Sequence, residues 1–111
     1  MTSLSLTLQD AQHVSWKIFK KIEAMSESEA EKIPDPSALV TDLLHEAGEV
    51  AAAVKRLENS APAEKQKSKT MLAKELDDLL YCVFVLAEHY GLSLEESFLE
   101  HVNDNLLRLL V

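Results

Sequence analysis

Four carboxylates stand at spacings that suit a metal ion: Glu46 and Glu49, then Glu75 and Asp78. Residues three apart on a helix lie on one face with their Cβ atoms about 5–6 Å apart, so each pair can present two carboxylates together. Like charges held that close repel, and drawing them toward a core costs several kcal/mol per ion unless something compensates. A hard divalent cation removes both problems. Mg²⁺ takes carboxylate oxygens in octahedral geometry and keeps coordination positions for water and substrate phosphate. Two adjacent helices, each carrying such a pair, can surround one ion. The competing explanation is a solvated helix face, since exposed charge is the usual state and the chain has 19 acidic residues. What favours the metal is that both pairs lean toward the apolar side of their own helix.

The helices that must position these pairs are legible from start and stop signals. The first begins near Thr7, where Thr7 and Asp10 have capping-box spacing. Leu8, Ala11, Val14, Ile18, Ile22 and Met25 follow at helical intervals. The stretch SESEAEKIPDP reads as a polar connector. Asp35 and Pro36 then open the second helix, Asp as N-cap and Pro in the first helical position. Its apolar stripe is Leu39, Leu43, Ala47, Val50, Val54 and Leu57, with Glu46 at the stripe's edge and Asp42 and Glu49 beside it. Asn59 to Lys69 reads as a loop. The third helix is expected over about Thr70 to Tyr90, ending at Gly91. The fourth opens with Ser93-Leu94-Glu95-Glu96, a capping box, and carries Phe98, Val102, Leu106 and Leu109.

At about 100° per residue, Glu75, Asp78, Leu79, Cys82 and Leu86 share one sector of the third helix. The stretch LLYCVFVLA is apolar on every side, which predicts a buried centre. The expected fold is therefore all-α, a four-helix bundle in a single domain spanning 1–111. A helix apolar all round needs more cover than three partners provide, so a homodimer or a dimer of dimers should complete it.

Composition narrows the function. The net charge of −8 disfavours a nucleic-acid polymer or an anionic membrane as partner. It leaves room for a small anionic ligand bridged by a cation. The single cysteine, Cys82, excludes an intrachain disulfide and fits a cytoplasmic protein; on a buried helix it reads as a small hydrophobe. The first residues lack the basic flank and apolar core of a secretory signal. The longest apolar run, Leu79 to Ala87, is too short for a membrane span.

The stretches LLHEAGEVAAAVKR and KELDDLLYCVFVLAEHYGLSLEES resemble the MazG-like, all-α nucleoside triphosphate pyrophosphohydrolases over residues 39 to 108. Their pattern is EExxE, a spacer, ExxD, then a helix opening with Gly-hydrophobic-x-Leu-Glu-Glu, followed in some members by K-x-x-x-N-x-x-R. The resemblance implies that Glu46, Glu49, Glu75 and Asp78 are ligands of Mg²⁺, with Mn²⁺ as a substitute. It implies that Asn105 and Arg108 lie near the nucleotide, and that the pocket is formed partly by a neighbouring chain. His45 replaces the first Glu of EExxE, and His101 stands where the Lys would be. The implied reaction is attack of water on the α-phosphorus of a (deoxy)nucleoside triphosphate, releasing monophosphate and pyrophosphate. Glu49 or Glu46 would act as general base.

Trp16 and Phe19 lie off the main stripe of the first helix, where they could stack on a nucleobase or fill a core. His13, one turn earlier, reads as a surface histidine, and Lys65, Lys67 and Lys69 as a solvated loop. Two rival functions stay open. One is phosphoribosyl-ATP pyrophosphohydrolase-like activity, whose sequence DLLYCVFVL approaches. The other is a non-catalytic helical dimer with a regulatory or assembly role.

Overall fold

The structure is a computed structural model, and it describes residues 5–25 and 35–110. Four α-helices make up the described chain: α1 (Leu8–Met25), α2 (Pro36–Glu58), α3 (Lys65–His89) and α4 (Leu94–Leu109). Among these residues there is no strand, so the all-α, four-helix expectation holds. None of the helices is long and apolar enough to cross a membrane. Most of the acidic connector expected between the first two helices lies outside the described residues.

The helix starts follow the local chemistry. Thr7 and Asp10 cap each other: the Asp10 N–H donates to Thr7 Oγ1 at 3.0 Å and the Thr7 N–H to Asp10 Oδ2 at 3.2 Å. Asp35 accepts from the Ser37 N–H at 3.1 Å, with Pro36 in the first helical position. Ser93 accepts from the Glu96 N–H at 3.4 Å. Gly91 adopts φ +66°, and the Leu92 N–H reaches back to the Ala87 carbonyl at 2.9 Å, so α3 ends in the left-handed turn that favours glycine.

One boundary differs. α3 begins at Lys65, five residues before the expected start, preceded by a short 3₁₀ turn, Pro62–Glu64. Lys65 Nζ donates to the Leu57 carbonyl at 2.8 Å, closing the end of α2, and the hydroxyls of Ser60 and Ser68 bond at 2.5 Å. The apparent loop of Lys, Gln and Ser is thus a pinned hairpin followed by helix-compatible residues.

The packing of α1 rests on a polar residue. Of the apolar stripe, Leu8 and Ala11 are half-buried but Val14, Ile18, Ile22 and Met25 are 43–76% exposed, while Gln12, one turn after Leu8, is fully buried. Gln12 fills the space between α1 and the α3–α4 turn. Its Nε2 donates to the Leu92 carbonyl at 2.6 Å and to Glu88 Oε2 at 3.2 Å, and its Oε1 accepts from the Leu94 N–H at 3.2 Å. A buried amide with every partner in place locks orientation, which an aliphatic contact does not. Gln9 adds a bond from Ser93 Oγ at 2.8 Å, and His13 pairs with Glu88.

α3 is the central element, packed against α2 on one side and α1 on another, while α4 rests on α1. The core is small: Leu39, Ala53, Phe84, Val85 and Ala87 are its buried apolar residues among those described. The LLYCVFVLA stretch is therefore buried only in part, and Leu80 remains 48% exposed.

Candidate metal centre

Glu46 comes from the middle of α2 and Glu75 and Asp78 from the middle of α3. The two helices run side by side from the pinned hairpin, and Ala53, 1% exposed, lets their backbones approach. Glu46 sits two turns earlier on the same face of α2 as Ala53, so it turns into the seam. There its carboxylate meets those of Glu75 and Asp78, with one oxygen from each lying within 4.8 Å of the others. All three residues are partly buried. Among the described residues, Glu46 and Glu75 have no hydrogen-bond or ion-pair partner.

Mutual repulsion at this separation is on the order of 1–3 kcal/mol per pair for effective dielectrics between bulk water and a protein surface. The donor set fits a hard divalent ion. Octahedral oxygens at about 2.1 Å from their ion lie about 3.0 Å apart along an edge and about 4.2 Å across, so modest side-chain rotations suffice.

Lys74 answers part of the charge. Its Nζ lies 3.1 Å from Asp78 Oδ2. The bond and charge of Asp78 first, then the charges of Glu75 and Glu46, hold this ammonium above the usual lysine value. The sequence reading missed Lys74, although its spacing of four from Asp78 was the available signal.

Glu49 is outside the three-carboxylate cluster. Its side chain is 47% exposed and lies 3.8 Å from His45 Nε2. Asp42, one turn before Glu46, lines a small hollow with Phe19, Leu39, Tyr81, Cys82 and Val85. Burial, then the charges of Glu46, Asp42 and Asp78, push the Cys82 thiol up; burial likewise raises Tyr81. Cys82 is thus a protonated neighbour of the site.

The remaining candidates are elsewhere in the single chain. His101 and Asn105 bond to each other at 3.1 Å on α4. His101 borders an apolar groove of about 430 Å³ with Leu8, Leu80, Val83, Phe84, Leu94 and Phe98. Leu80 and Phe84 lie about half a turn around α3 from Glu75 and Asp78, so His101 and Asn105 are on the far side of that helix. Arg108 is exposed near the end of α4. Trp16 stacks on Phe19 with centroids 5.8 Å apart and tilts against His89 at 6.2 Å. His89 is about 16 Å along α3 from Asp78.

A family model for the MazG nucleotide pyrophosphohydrolase domain matches residues 35–105, which hold both acid-bearing helices and most of α4. The chain belongs to this family. The carboxylate cluster of this MazG chain falls wholly inside the matched span, in keeping with a family that is typically metal-dependent. No curated protein matches the chain.

Proposed function

We propose that this chain is a magnesium-dependent hydrolase that cleaves nucleoside or deoxynucleoside triphosphates to a monophosphate and pyrophosphate. The observation that carries the reading is the convergence of Glu46, Glu75 and Asp78 within 4.8 Å, from two helices, in a chain of the MazG family. Mg²⁺, or Mn²⁺ in its place, supplies charge to phosphate oxygens and lowers the pKa of water.

The chain's own residues do the rest. Glu46, Glu75 and Asp78 would hold the ion on rigid helices. Glu49, half exposed beside them, joins the ligand set or accepts the proton of the attacking water, a role Glu46 could share. The water oxygen bonds to the α-phosphorus, the bond to the α–β bridging oxygen breaks, and pyrophosphate leaves with those electrons.

The working unit on this reading is a pair of copies, each one helical domain over 1–111. Its support is surface: 8598 Å² is accessible, against roughly 6,100 Å² for a compact monomer of this length. The α1 stripe and the apolar groove are available for that contact. Helix α4 of the second copy would then carry His101, Asn105 and Arg108 to the phosphates.

A panel of nucleoside triphosphates and phosphoribosyl-ATP with pyrophosphate detection tests the reaction. Glu75→Gln should lower kcat well beyond the ~10–100-fold typical of outer-shell changes, without lowering the metal-free Tm, because it removes one of three repelling charges. Undiminished turnover in that variant would refute the assignment.

A further inference from the structure

We propose that Lys74 is a substrate-contacting residue of this site: its ammonium pairs with Asp78 while the carboxylates hold no ion, and moves to the nucleotide's phosphates once they do. This rests on the reading of the cluster as a metal centre.

The geometry supports both positions of the side chain. Lys74 Nζ is 3.1 Å from Asp78 Oδ2, and the Lys74 side chain is 72% exposed against 43% for Asp78. The ammonium therefore sits at the solvent mouth of the cluster, where a phosphate must enter to reach an ion held inside. An exposed four-carbon stem leaves the charge free to swing by several ångströms. Charge favours such a group from the same chain, beside whatever α4 of a second copy brings. Three carboxylates outweigh one divalent ion, and a polyphosphate adds further negative charge. Among the described residues no other lysine or arginine pairs with Glu46, Glu75 or Asp78, and His101 lies beyond α3.

A competing cation that later becomes a substrate contact has an unusual signature. Its removal should strengthen ion binding and weaken nucleotide binding, whereas a purely structural lysine would shift neither in that way. The test compares wild type, Lys74→Met and Lys74→Arg. Met keeps helix propensity and length, and the exposure of the site makes misfolding an unsuitable explanation for any change.

Calorimetric titration with Mn²⁺ alone should show about two- to tenfold tighter binding in Lys74→Met than in wild type, with Lys74→Arg near wild type. The KM for the best triphosphate of the panel should rise about tenfold in Lys74→Met, kcat changing less, and Lys74→Arg should recover most of the loss. Mn²⁺ binding that is unchanged or weaker in Lys74→Met, or an unchanged KM, would overturn the assignment of Lys74 while leaving the metal centre standing. Absence of Mn²⁺ binding in all three proteins would overturn the metal-centre reading itself.

Discussion

Glu46 shares the inward side of α2 with Leu39, Val50 and Ala53, and its carboxylate faces those of Glu75 and Asp78. On the proposed metal-centre reading, replacing one carboxylate would remove a ligand and relieve repulsion, so function and stability would pull in opposite directions here. Cys82 reports on the same field. Its native pKa is raised above 9.0 by burial and by Glu46, Asp42 and Asp78. A raised native value means the folded chain keeps a proton that the unfolded chain has released. The thiol's contribution to stability is thus full below about 9 and is lost as pH rises through the native value. Thiolate absorbance at 240 nm should titrate with a midpoint above 9.0, and iodoacetamide should react more slowly at pH 8 than in denaturant. A native midpoint below the ordinary thiol value would show that the carboxylates are not gathered around it.

At the scale of elements, capping chemistry was readable residue by residue. Thr7, Asp35, Ser93 and Gly91 all terminate helices as their types require. The start of α3 was not readable, because Lys65 and Ser68 look solvated in a linear chain and are anchored only through Leu57 and Ser60 of another segment. The docking of α1 was not readable from its periodicity. An apolar stripe marks no partner, whereas Gln12 carries the contact by satisfying the Leu92 carbonyl and the Leu94 N–H. Gln12→Ala should strand both groups and lower stability by about 1–3 kcal/mol, read as a reduced urea midpoint. A midpoint equal to wild type would place the docking of α1 on other contacts.

At the scale of the whole molecule, a radius of gyration of 17.3 Å exceeds the roughly 13 Å of a compact chain this long. Val14, Ile18, Ile22, Leu80, Phe98 and Leu106 are all more than 40% exposed, and extended exposed apolar surface marks an interaction site. On the proposed two-copy unit, this surface would be buried against a second copy. Leu80→Glu, placed in the groove wall, should convert a dimer to monomers in sedimentation velocity, because an unpaired charge at an apolar contact is costly. A wild-type chain that sediments as a monomer would contradict the two-copy unit.

What the amino-acid order determined alone was local: where helices begin and end, that acid pairs recur at one-turn spacing on two of them, and the family motif those pairs belong to. Each of these depends on residues within a few positions of one another, so periodicity and capping suffice. Tertiary structure decided which faces are used. It selected Glu46, Glu75 and Asp78 as the converging set and left Glu49 at the edge. It also turned the Gln12 face of α1 inward and put His101 beyond α3. A helix's own pattern says which faces are apolar, but burial depends on which surface of another element meets each face, and that is settled only when the helices pack.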